Sequence, residues 1–213
     1  MSQANFGIKA QRRERTGAGE RTMRETGRET KSRRIMIIRH AEKPGDADPD
    51  HGVSLYGVHD KHDLTVRGWQ RAGALVRFFA PTGAGGDPGI SVPATIMASA
   101  ATPASPSLRA QHTVRPVAAA LGLGLVVAHA DGEEPAIAAA AIAAPSPVLI
   151  AWHHNHIVRL VHAIGGRAIG CPAAWPDDRF DLVWILDQAE PAAPWTFSQR
   201  AQRLLPGDRD QPI

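Results

Sequence analysis

Three short, predominantly apolar runs, each with a segment of helical spacing further along, restrict this chain more than any other feature. They are residues 35–38 (Ile-Met-Ile-Ile), 94–98 (Ala-Thr-Ile-Met-Ala) and 148–152 (Val-Leu-Ile-Ala-Trp). A strand that is apolar on both sides of its two-residue alternation needs cover on both faces, which is the position of a strand inside a parallel sheet. The intervening segments supply that cover. Residues 64–68 open a helix with Thr65 as N-cap and Ala72, Leu75, Val76 and Phe79 on one buried face. Further helices are predicted over 107–121, 133–143 and 157–164, with an additional strand at 125–128. Two late runs, 181–186 and 195–198, predict a closing hairpin or a pair of edge strands. The expected fold class is α/β: a three-layer α/β/α sandwich around a mostly parallel central sheet.

The 213-residue chain carries a net charge of +3, which raises the question of a nucleic-acid partner. The charge is unevenly placed. Residues 1–34 hold ten Lys and Arg against four Glu, whereas residues 35–213 hold 14 Lys and Arg against 17 Asp and Glu. The basic balance belongs to the first segment, and the expected domain, 35–213, is mildly acidic, so no nucleic-acid role is expected for it. Residues 1–34 are polar and nearly devoid of apolar side chains, which predicts a disordered basic tail, or sequence upstream of a true start near Met36. The single cysteine, Cys171, cannot form an internal disulfide. No apolar run approaches the roughly 20 residues of a membrane-spanning helix. A cytoplasmic location with no membrane partner is the expectation, and the oligomeric state is left open.

The candidate chemistry sits at strand ends. Arg39-His40 follows the first apolar run, Arg109 falls in the first turn of the helix after the second, and His153-His154 follows the third. In open α/β sheets ligands bind beyond the carboxyl ends of the strands. Buried guanidinium and imidazole groups need partners, and a helix N-terminus favours an anion. Two guanidiniums and two imidazoles converging there predict a pocket for a phosphoryl group.

Residues 37–44 (Ile-Ile-Arg-His-Ala-Glu-Lys-Pro) resemble the Arg-His-Gly signature of the histidine phosphatase superfamily, with Ala41 in place of its glycine. Residues 64–72 resemble that family's Leu-Thr-x-x-Gly-x-x-Gln-Ala helix. Residues 107–113 resemble its Ser-x-Arg-Ala-x-x-Thr element, and residues 149–154 its late strand ending in a histidine. The resemblance covers roughly 35–165 in the family's order. It implies a phosphoglycerate mutase-like fold and a phosphatase working without metal or cofactor through a phosphohistidine on His40. In that scheme Arg39 and Arg109 clamp the phosphoryl oxygens, and the spacing to Ile157 and Arg159 makes His154 the second catalytic histidine, with His153 as the alternative. Lys43, Glu42 and His153 are further substrate-binding candidates. Glu42, Asp131, Glu133, Glu134 and His153 are candidates for the leaving-group acid. The implied partner is a phosphorylated small molecule or a phosphohistidine protein.

Three other readings have a basis in the residues. A phosphomutase of the same superfamily would need more chain for the insertions that exclude water. A non-catalytic phosphate-binding module would have no need of a nucleophilic histidine. A metallohydrolase would use His153, His154 and His156 with a carboxylate as metal ligands, but leaves Arg39 and Arg109 without purpose. The loop 44–63, with His51, His59, His62, Asp46, Asp48 and Asp50, is expected to be solvated or to act as a flap over the substrate.

Overall fold

In the computed structural model the described residues are 32–45, 51–83 and 85–213. Asp46, Asp48 and Asp50 and most of the expected tail therefore lie outside them. The elements are β1 (Arg33–Arg39), α1 (Val66–Phe79), β2 (Thr95–Ala98), α2 (Arg109–Leu121), β3 (Leu125–Val126), α3 (Glu134–Ala143), β4 (Val148–Trp152), α4 (His154–Gly165), β5 (Leu182–Gln188) and β6 (Thr196–Ala201). One six-stranded sheet has the order β3-β2-β4-β1-β5-β6. The β3-β2-β4-β1 half is parallel, and β5 and β6 close it in antiparallel fashion as a hairpin.

Period-two alternation sends neighbouring residues of β1 to opposite cores. Ile35 and Ile37 pack with Ile137, Ile157, Leu160 and Val161 from α3 and α4. Met36 and Ile38 pack with Leu75, Phe79, Val114 and Val117 from α1 and α2. Helices thus cover both faces, and the architecture is the expected three-layer α/β/α sandwich.

Several boundaries shift from expectation, β3 for instance spanning only Leu125–Val126, and two of the shifts have a clear cause or bear on the histidines. β1 starts at Arg33, inside the segment expected to be disordered, because it pairs with β5 from Arg33 opposite Gln188, and Arg34 meets Asp187 at 2.7 Å. α4 starts at His154 rather than near Ile157, with His153 in extended conformation just before it. Thr65 caps α1 as predicted, its hydroxyl oxygen accepting from the Gly68 N–H at 3.1 Å. Among the described residues no helix is long and apolar enough to cross a membrane.

Candidate active site

Strand register decides which histidines meet. The parallel pairing of β1 with β4 sets Ile38 beside Ala151 and Arg39 beside Trp152. The His40 N–H then donates to the Trp152 carbonyl at 3.1 Å, continuing the ladder one step. The next rung brings His40 alongside His153, with ring centroids 5.6 Å apart and the planes at 71°. His40 is only 2% exposed. Its Nδ1 lies 2.7 Å from the Ala41 carbonyl oxygen. A carbonyl can only accept, so Nδ1 carries the proton and Nε2 keeps the free lone pair. Burial, and after it the charge of Arg39, hold the His40 pKa well below the ordinary histidine range, so the ring is neutral near pH 7.

The two guanidiniums are oriented from behind by backbone oxygens. Arg39 is buried, and its Nη1 donates to the carbonyls of Asp177 at 2.5 Å and of Pro176 and Arg179 at 3.4 Å each. The Phe180 ring packs against the same group, 3.9 Å from ring centroid to Cζ. Arg39 Nε is buried and has no hydrogen-bond partner. Burial pulls the Arg39 pKa down to about 10, against the opposing pull of Asp177 and Glu42, which still leaves it charged. Arg109 donates from Nε to the Asp63 carbonyl at 3.1 Å and from Nη2 to the Lys61 carbonyl at 2.5 Å. The charges of Arg39 and Arg109 act on both His40 and His153. These four groups therefore share one electrostatic neighbourhood, with a buried N–H of Arg39 unsatisfied. An unpaired buried donor is costly, and an anion is the partner that would remove the cost.

The residues around this cluster hold the 40–42 turn. Thr113 Oγ1 accepts from the Ala41 N–H at 2.8 Å and donates to the Arg109 carbonyl at 2.7 Å, so one hydroxyl joins the turn to α2. The Glu42 carbonyl accepts from the Thr65 N–H at 3.0 Å. Gly68 sits against the same peptide: a Cβ there would overlap the Glu42 carbonyl oxygen and lie 3.1 Å from its amide nitrogen. The Glu42 carboxylate pairs with Arg71 at 2.8 Å and Arg67 at 3.2 Å, and Arg71 also binds Asp208 at 2.6 Å. Glu42 thus neutralises a buried arginine, Arg71.

The remaining candidates spread around the site. His154, expected to be the second histidine, is not the ring that meets His40. Its Nε2 faces the Asp177 carboxylate at 2.8 Å, and its Nδ1 is buried without a partner. Burial, then the charge of Arg39, lowers its pKa. His153 Nδ1 lies 3.7 Å from Asp131, and burial lowers this ring's pKa too. Lys43 is half-buried and near enough for its charge to act on His154. Glu133 caps the local turn by accepting from the Ala130 N–H at 2.7 Å. Glu134 is buried and bonds His156 and Trp152. In the loop, His51 and His59 stack edge to face at 5.0 Å, while His62 is half-buried and its backbone N–H donates to the Asp60 carboxylate at 2.8 Å. Asp177 and Phe180 escape sequence reasoning because they reach the site from a loop after α4, with no strand end to announce them.

No family model matches the chain, and no curated protein matches it. Among solved structures, it is similar to mycobacterial glucosyl-3-phosphoglycerate phosphatase, at 15% identity and TM-score 0.47, over 79% of this chain and 98% of that one. The same phosphatase in complex with VO3 gives 14% identity and TM-score 0.47, over 78% and 97%. A structure described as mycobacterial hydrolase 2 gives 13% identity and TM-score 0.44, over 79% and 89%.

Proposed function

We propose that this chain is a phosphatase of the histidine phosphatase type, hydrolysing a phosphate monoester or phosphoramidate through a phosphohistidine on His40. The supporting observation is the combination at the end of β1: a neutral buried imidazole with its Nδ1 proton held by the Ala41 carbonyl, beside a guanidinium whose Nε is buried and unpaired. In the first step His40 Nε2 attacks phosphorus as the bond to the leaving oxygen or nitrogen breaks, and the leaving atom takes a proton. In the second step water attacks phosphorus, the N–P bond breaks, and inorganic phosphate departs. Splitting one displacement into two lowers each barrier. Arg39 and Arg109 carry the charge on the equatorial oxygens, a task that metal ions perform in other phosphotransferases. Each such contact contributes on the order of 3–4 kcal/mol to the transition state.

The role expected of His154 passes to His153, whose ring stands beside that of His40. His154 faces the Asp177 carboxylate and, in its protonated form, supplies the proton for the leaving group. The substrate is a phosphorylated small molecule or a phosphohistidine protein, and the setting is cytoplasmic. A chromogenic phosphate ester tests the reading directly. His40→Ala is expected to abolish turnover while preserving the thermal melt, and a chelator is expected not to abolish turnover of the unaltered protein. Normal turnover by folded His40→Ala protein would overturn it.

A further inference from the structure

One carboxylate beyond His153 lies a second cluster to which the proposed mechanism assigns no step. Asp131, Glu134 and His156 bring three donor atoms within 4.8 Å of one another. They come from the turn before α3, from its first residue and from the first turn of α4, and the two helices pack side by side. His156 Nδ1 is 3.1 Å from Glu134 Oε1 and 3.9 Å from Asp131 Oδ1. A single ring proton serves the first contact and cannot reach the second. Asp131 Oδ1 is accordingly closed off from solvent with no hydrogen-bond partner. Two carboxylates share one imidazole, and one of their oxygens is left stranded.

The spacing fits a cation. Zinc binds imidazole nitrogen and carboxylate oxygen at about 2.0–2.2 Å, which sets tetrahedral donors roughly 3.4 Å apart. The separations of 3.1 and 3.9 Å bracket that figure. Glu134 Oε1 is steadied by the Gly132 N–H at 2.9 Å and the Trp152 indole N–H at 3.2 Å, the kind of outer support that orients metal-binding carboxylates. One nitrogen with two oxygens suits a borderline ion, whereas calcium and magnesium favour oxygen alone.

We propose that Asp131, Glu134 and His156 seat one divalent transition-metal ion of the zinc class, next to the phosphoryl pocket but outside it. The other oxygen of Asp131 faces His153 Nδ1 at 3.7 Å, so the ion holds the carboxylate that backs this ring.

Metal-stripped full-length protein is titrated with Zn²⁺ by calorimetry and with Co²⁺ by visible absorption. The expected result is one equivalent bound, with a rise in melting temperature. Asp131→Asn and His156→Ala are each expected to weaken binding well beyond about tenfold, since even outer-shell losses at metal sites cost about 10–100-fold. The double variant His51→Ala, His59→Ala, which removes the stacked loop pair, is expected to bind as the parent does. Should His156→Ala fail to fold, Asp131→Asn, a same-sized change on a partly exposed turn, decides alone. Absence of binding, unchanged binding in Asp131→Asn, or loss confined to the loop variant would overturn the proposal. Because the readout is binding rather than turnover, it stands or falls separately from the phosphatase reading.

Discussion

Gly68→Ala is the substitution whose effect the structure sets most sharply. Gly68 lies in the first turn of α1, where a new methyl would overlap the Glu42 carbonyl oxygen and stand 3.0 Å from Leu64 Cβ. The obstacle is backbone, so relief requires α1 and the 40–42 turn to part by on the order of 1 Å, toward the separations at which carbon contacts become favourable. Alanine gains about 1 kcal/mol over glycine in a helix, but overpacking costs about 1–3 kcal/mol. Net stability is therefore expected to fall by up to about 2 kcal/mol. Activity should fall further in proportion, because Glu42 is two residues from His40 and a misplacement of about 1 Å at a reacting group costs about 100-fold. Gly73→Ala is the control: it lies on the same helix, exposed, with nothing within 4 Å of the added methyl. It is expected to be neutral or slightly stabilising, with unchanged kcat/KM. Steady-state kinetics and thermal melts of both variants decide the matter. If the two behave alike, the argument that this glycine sets the position of the catalytic turn is wrong.

Register predicts that His153→Ala lowers kcat more severely than His154→Ala, whose remaining activity should instead depend on how good the leaving group is; comparing a nitrophenyl with an alkyl phosphate checks this. Because burial depresses the His40 pKa, the neutral nucleophile should persist below pH 6.5, and the acid limb of kcat/KM should lie under that value. The same depression has a stability consequence with a definite sign. The unfolded chain takes up the proton first as pH falls through 6.5, so native stability is lost below that pH until the folded ring itself protonates. Denaturant midpoints measured from pH 8 down to pH 5 should fall, and a midpoint that rose would contradict it.

The layers and the positions of Arg39, His40 and Arg109 were legible because each follows directly from an apolar run or a helix start. Spacing points to His154 whereas the strand register sets the His153 ring beside His40, and the difference has a specific reason. Counting forward to Ile157 and Arg159 assumes a fixed geometry between strand end and helix, and α4 begins at His154 itself. A second signal lay in β4. Its alternation sends Leu149 and Ala151 to the same core as Ile38, and continuing that phase by two residues reaches His153. Asp177 and Phe180 carry no such phase, and long-range packing alone brings them over Arg39. Glu42 is a candidate ligand in the sequence because it stands two residues from His40, whereas its partner Arg71 and that arginine's second partner Asp208 lie far away in the chain.

Covalent capture tests the central claim most directly. The protein is mixed with a phosphorylated substrate, denatured in alkali, digested, and mapped by mass spectrometry. The account predicts a single phosphoryl group on the peptide containing His40, stable to base and released by acid, and absent from His40→Ala protein. Phosphate on another residue, or turnover that leaves no covalent phosphate under conditions where product forms, would contradict it.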